Sequence, residues 1–187
     1  VSKTFEPNDI KPLLNFGHQH YGENKVQECK LKWHDLKLQY ENIKLHMIGR
    51  LQTNKVRDCV KYCDFIHSLD SKKLAKKISD EQIKINKNIK IFIQVNIGEE
   101  NQKSGVVKDK LEELIIYCKE INLNLLGLMC IPPANVEASR FFKEVYLLNK
   151  RFGFSELSMG MSSDYITACK NSSTFLRIGS SIFGARV

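Results

Sequence analysis

Short apolar runs recur along the chain, each closing on Gly, Asn, Asp, Pro or a hydroxyl residue. They are Val1 to Thr4, His20 to Asn24, Leu45 to Gly49, Phe65 to Asp70, Lys90 to Gly98, Leu125 to Ile131, Leu157 to Met161 and Phe175 to Ile178. Between them lie stretches such as Lys110 to Cys118 and Phe141 to Leu148, whose apolar positions repeat at three and four, the spacing of amphipathic helices. Regular alternation of strand and helix predicts parallel strands joined by helical crossovers. Eight such units predict an α/β fold, a single-domain (β/α)8 TIM barrel rather than an open sheet. With 187 residues in the chain, each unit has roughly 23, a compact version of that barrel.

One strand sharpens the expectation. Within 89–97, Ile89, Ile91, Ile93, Val95 and Ile97 share a face suited to packing under the outer helices, while Phe92, Gln94 and Asn96 share the other. Polar Gln94 and Asn96 on an inward face near the carboxyl end predict the lining of a site. In such a barrel the loops at the carboxyl ends of the strands carry function, which singles out Lys3, Asn24, Gly49, Asp70, Asn96, Met129, Ser162 and Gly179.

Two of those exits share an unusual composition. Leu157 to Met161 gives way to Ser162-Ser163-Asp164, and Phe175 to Ile178 to Gly179-Ser180-Ser181, each followed by a helix-like stretch. Strand, Gly/Ser turn and helix is the pattern of a phosphate site, in which backbone N–H groups and hydroxyls face the anion and a helix N-terminus adds partial positive charge. A single cluster would be explained by helix capping; two on consecutive strands predict one shared anion site.

Composition limits the alternatives. The chain is 42% hydrophobic, enough for a core, and no apolar stretch reaches the roughly 18 residues of a membrane span. The formal charge of +8 is spread over most helices without an Arg-rich run or an aromatic platform, so solvated helix faces, or a basic mouth that attracts an anion, account for it better than nucleic acid. Six cysteines form no C-x-x-C pair and predict reduced, buried thiols in a cytoplasmic protein; Cys59, Cys63 and His67 lack a fourth metal ligand at a familiar spacing.

VSKT at Val1–Thr4, GENKVQE at Gly22–Glu28, IGRLQTNK at Ile48–Lys55, QVNI at Gln94–Ile97, QKSG at Gln102–Gly105, LSMGMS at Leu157–Ser162 and RIGSSIFG at Arg177–Gly184 together resemble the pyridoxal phosphate homeostasis protein family. The resemblance runs over nearly the whole chain. It implies the barrel of a fold type III alanine racemase without the C-terminal β-domain, and pyridoxal 5'-phosphate as cofactor. It makes Lys3 the Schiff-base lysine, puts the cofactor phosphate at Ser162, Ser163, Gly179 and Ser180, brings Arg177 to the pyridine nitrogen, and sets Asn24 and Met161 beside the ring. Lys55 and Lys103 become candidates for assisting cofactor entry or transfer.

A permanently charged guanidinium beside the pyridine nitrogen disfavours its protonation and so weakens the ring as an electron sink. Racemases with such an Arg add a Tyr from a second domain; Tyr21 and Tyr165, expected near the mouth, do not plainly replace it. The resemblance thus implies a non-catalytic carrier, with pyridoxal phosphate and perhaps apo-enzymes that receive it as partners, no nucleic acid or membrane, and a monomer. A pyridoxal phosphate enzyme with weak racemase or decarboxylase activity is the alternative. Three departures stand out. Ser172 occupies a turn position where members usually have Gly, and Ser180 stands where Thr is common after RIG, which keeps the hydroxyl. Members also carry a helix and most of the first strand before VSKT, so upstream residues are expected to be missing from the chain, which begins at Val1.

Overall fold

The computed structural model describes residues 1–100, 102, 104–134 and 136–184. Strand and helix alternate as α1 (Pro7–Asn15), β1 (His20–Glu23), α2 (Val26–Gln39), β2 (Lys44–Met47), α3 (Val56–Tyr62), β3 (Phe65–Leu69), α4 (Lys72–Lys84) and β4 (Lys90–Val95). They continue as α5 (Lys108–Glu120), β5 (Asn124–Cys130), α6 (Ser139–Arg151), β6 (Glu156–Met161), α7 (Tyr165–Lys170), β7 (Phe175–Arg177) and α8 (Ser180–Phe183). All neighbouring pairs are parallel and the strand order follows the chain from β1 to β7. The rings of His20 on β1 and Phe175 on β7 approach to 6.5 Å, so the sheet curls until its first and last strands face each other. The fold is a nearly closed parallel barrel in one domain, as the alternation predicts.

Seven strands, not eight, are present among the described residues. The Val1–Thr4 run lies in the expected gap: the Val1 amine donates to Ile178 O, and Ser2 N donates to Gly22 O at 3.0 Å. It forms no ladder, because the backbone turns at Thr4, whose φ is +69°.

The period-two reading of β4 holds. Ile89, Ile91, Ile93, Val95 and Ile97 belong to the large cluster between sheet and helices, while Phe92 packs with Phe65 and Met129 in a separate cluster inside the barrel. The interior cluster is an aromatic floor. His46 stacks on Phe65 at 4.1 Å, His67 on Phe92 at 4.5 Å, and Phe175 meets Phe92 edge-on at 5.1 Å. Met129 is wholly buried in this floor and not at a strand exit, so Ile131 takes the place expected for it at the mouth. Above the floor the barrel opens.

Candidate cofactor site

The site grows out of strand ends. Asn24 follows β1, Ile48 to Arg50 follow β2, Gln94 lies near the end of β4 and Asn96 just beyond it, Met161 to Ser163 leave β6, and Arg177, Gly179 and Ser180 leave β7. Together with Lys3, Ser104 and Ile131 they line one cavity of about 630 Å³ at the carboxyl end of the barrel. Lys3, Asn24, Met161, Ser162, Ser163, Arg177, Gly179 and Ser180 are all in that wall. Gln94 and Asn96 line it as well, each tying down the loop after β4: Gln94 Nε2 donates to Ser104 O at 3.0 Å and Asn96 Nδ2 to Glu100 O at 2.9 Å.

The two Gly/Ser turns meet. Gly179 N donates to Ser162 Oγ at 3.1 Å, with Ser181 N at 3.4 Å from the same oxygen, so a hydroxyl oxygen holds together amides an anion would attract. Each turn is rigid for its own reason. Met161 N donates to Asp164 Oδ1 at 2.6 Å, closing the first, and Gly179 N anchors the second on Ser162. The helices that follow are shorter than the pattern suggests, six residues in α7 and four in α8, so what the two turns offer an anion is amides and hydroxyls rather than a helix macrodipole.

Gly49 shows how tightly the wall is built. A Cβ there would lie 2.3 Å from Asn24 O, so only glycine lets the β2 exit pass against the β1 exit. Arg177 supplies the charge. It is 7% exposed, donates from Nη1 to Ser158 Oγ at 2.8 Å and from Nη2 to Cys130 O at 2.9 Å, and no carboxylate pairs with it among the described residues. Burial lowers the pKa of the guanidinium from its ordinary value. An unpaired buried cation is costly, so an anionic or lone-pair acceptor entering the cavity is stabilised beside it.

Sequence reasoning missed what stands behind Arg177. Ser158 Oγ lies 2.8 Å from His67 Nδ1, His67 Nε2 lies 2.9 Å from His46 Nδ1, and His46 Nε2 lies 2.8 Å from His20 Nδ1. A guanidinium only donates, so Ser158 Oγ accepts from Arg177 and its own hydroxyl hydrogen is available to His67, an arrangement in which His67 and His46 each donate from Nε2 to the next ring. Burial lowers the pKa of His46 to about 3, and burial followed by the charges of His46 and Arg177 lowers that of His67. The visible signal was a polar residue on the inward face of β2, β3 and β6 in otherwise apolar strands.

Other expectations fare differently. Tyr21 is not at the mouth: its ring is buried against Trp33 at 4.7 Å, because the strand alternation turns it outward under α2. Tyr165 begins α7 and does not line the cavity. Asp70 lies in a neighbouring groove with Arg50, Thr53 and Ser71. Lys55 ends a short 3-10 turn, Thr53–Lys55, outside the cavity wall, and Lys103 lies outside the described residues. Five cysteines are buried and Cys169 is exposed. Among the described residues no helix is long and apolar enough to cross a membrane.

Residues 10–187 match the family described as alanine racemase, N-terminal domain. The chain is 40% identical over 196 residues to the pyridoxal phosphate homeostasis protein of Aquifex aeolicus, covering 100% of this chain and 85% of that protein. To the pyridoxal phosphate homeostasis protein of Escherichia coli K12 it is 35% identical over 197 residues, covering 100% and 84%. The structure of PipY from Synechococcus elongatus with PLP bound matches with a TM-score of 0.91 at 28% identity, over 98% of this chain and 90% of that one. An alanine racemase of Clostridium difficile shares the fold, with a TM-score of 0.73 at 14% identity over 100% of this chain and 51% of that one.

Proposed function

The chain belongs to the pyridoxal phosphate homeostasis proteins, within the alanine racemase N-terminal domain family, and on that premise we propose that it is a reversible carrier of pyridoxal 5'-phosphate. The observation that carries this reading is the gathering of an amine, a buried guanidinium and two hydroxyl-rich turns around one cavity.

When bound, pyridoxal phosphate would supply an aldehyde that reacts with a neutral amine. Lys3 provides that amine. Ser162, Ser163, Gly179 and Ser180 would hold the phosphate through amides and hydroxyls, among them the Ser162 hydroxyl and the Gly179 N–H that donates to it. Arg177, fixed from behind by Ser158 and Cys130 O, would serve as the donor to the pyridine nitrogen. Asn24 and Met161, both in the cavity wall, would flank the ring. A donor that never gives up its proton leaves the pyridine nitrogen unprotonated, which suits storage of the aldehyde better than carbanion chemistry.

In this reading the protein is a cytoplasmic monomer that shields a reactive aldehyde and hands it to apo-enzymes, with Lys55 and Lys103 assisting entry or transfer. Mixing the cofactor-loaded protein with an apo pyridoxal phosphate enzyme tests it. Reactivation at least as complete as with an equal amount of free cofactor, and no turnover of amino acids by the protein alone, is expected. Racemisation or decarboxylation that disappears in Lys3→Ala would overturn the carrier reading in favour of an enzyme.

A further inference from the structure

Lys3 sits in a backbone segment gripped on both sides. Before it, Ser2 Oγ donates to Glu23 Oε1 at 2.8 Å and Lys32 Nζ donates to Ser2 O at 2.8 Å. After it, Thr4 N donates to Glu28 Oε1. The two grips are one network, because Lys32 Nζ also reaches Glu23 Oε1 and Glu28 Oε1, each at 3.1 Å, and Trp33 Nε1 donates to Glu23 Oε1 at 2.9 Å. Glu23 and Lys32 are buried, their side chains 0% and 6% exposed, whereas Glu28 retains 22%.

The segment they hold is strained. Thr4 is β-branched and has a φ of +69°, a conformation such residues rarely adopt unless their surroundings impose it. An outlier of this kind directly beside a functional lysine invites a functional explanation. Chain geometry supplies one. Glu23 ends β1, and Glu28 and Lys32 lie one turn apart on α2, so the rigid β1–α2 unit, whose connecting loop carries Asn24, is the body on which the Lys3 backbone is mounted.

We propose that Glu23, Glu28 and Lys32 form a positioning clamp that imposes the turn at Thr4 and thereby aims the Lys3 amine into the cavity. None of the three lines the cavity, and none touches the turns at Ser162 and Gly179 that would hold the phosphate. The inference rests on the reading of Lys3 as the residue that bonds the aldehyde. It predicts that loosening the clamp slows bond formation without weakening anchorage.

Lys32→Met would strand the buried Glu23 carboxylate and endanger folding, so the test is placed on the partly exposed Glu28. Three measurements are made on the wild type, Glu28→Ala, Glu28→Gln and the double variant Glu28→Ala/Thr4→Gly. They are the rate at which the violet absorbance band appears on adding pyridoxal phosphate, the affinity for 4'-deoxypyridoxine phosphate, which lacks the aldehyde, and the melting temperature. Borohydride trapping and peptide mapping of the wild type come first.

The clamp predicts a rate lowered about tenfold or more in Glu28→Ala. Glu28→Gln keeps an acceptor oxygen for Thr4 N and stays within about threefold of wild type. Glycine at position 4 adopts positive φ without strain, so the double variant recovers most of the loss. Affinity for the deoxy analogue changes less than about twofold throughout. A Lys3 adduct whose rate ignores Glu28→Ala, or a Glu28→Gln rate as low as that of Glu28→Ala, overturns the clamp alone. A wild type with no Lys3 adduct overturns the functional reading, and the clamp with it.

Discussion

His46 Nδ1 and His67 Nε2 lie 2.9 Å apart inside the barrel, each ring also stacked on a phenylalanine of the floor. Both are held neutral. Burial lowers the His46 pKa to about 3, and His67 is lowered in the same sense by burial and by the charges of His46 and Arg177. In the unfolded chain both titrate near the ordinary value of about 6.5, so below that pH the unfolded state binds protons that the folded state does not. Stability is therefore complete above about pH 6.5 and falls as pH drops below it, His46 contributing about 1.4 kcal/mol per pH unit down to about pH 4 and His67 adding in the same direction. Denaturant unfolding over this range measures the slope. His46→Phe, which keeps the stacking, lowers this slope while costing about 1 kcal/mol at neutral pH.

Arg177 is buried on two neutral acceptors, Ser158 Oγ and Cys130 O. Replacing it with Gln removes a desolvated charge, so the stability of the ligand-free protein changes by less than about 1 kcal/mol or rises. Binding should respond in the opposite sense. We expect the melting-temperature increase produced by pyridoxal phosphate to shrink sharply in Arg177→Gln, with affinity lowered about tenfold or more. Thermal melts with and without the cofactor give both quantities.

Ser172 carries a φ of +66° at the turn between α7 and β7. A side chain in this left-handed region costs about 1 kcal/mol relative to glycine. Ser172→Gly should raise the unfolding free energy by about 0.5 to 1 kcal/mol and leave cofactor binding unchanged, since Ser172 lies outside the cavity wall. The departure from Gly noted in the sequence thus falls where the backbone asks for it.

Gly49 is predicted to be intolerant for the opposite reason. Its φ is ordinary, but a Cβ would meet Asn24 Cα at 2.7 Å as well as the Asn24 carbonyl oxygen, and backbone cannot swing aside like a side chain. Gly49→Ala should destabilise the protein by about 2 kcal/mol or more and displace Asn24 from the cavity. Loss of affinity for the deoxy analogue together with a lowered melting temperature would register both effects.

The barrel was legible because β4 and its neighbours write their two faces in alternate residues, and because the Gly/Ser turns after β6 and β7 repeat one local chemistry. The strand count was not. Val1 to Thr4 has the composition of a strand, but what ends it is a turn imposed by Glu28, which lies 24 residues away. The same limit hid the supports of the site. Glu23, Lys32, Ser158, His46 and His67 are polar residues in or beside apolar elements, and their pairing follows from sheet curvature and register, neither of which periodicity encodes. Motif resemblance located the residues around the cavity but gave no reason for Lys32 to be buried or for Thr4 to adopt positive φ.

In the proposed function, Lys3 bonds the aldehyde of a phosphate-bearing cofactor held between the two Gly/Ser turns. The most direct measurement is the absorbance spectrum of the protein with pyridoxal phosphate before and after borohydride, followed by mass mapping of the peptides, with Lys3→Ala alongside. The account predicts a violet band, its loss on reduction, and a single phosphopyridoxyl adduct on Lys3 that is absent from the variant. An adduct at another lysine, or an undiminished band in Lys3→Ala, would contradict it.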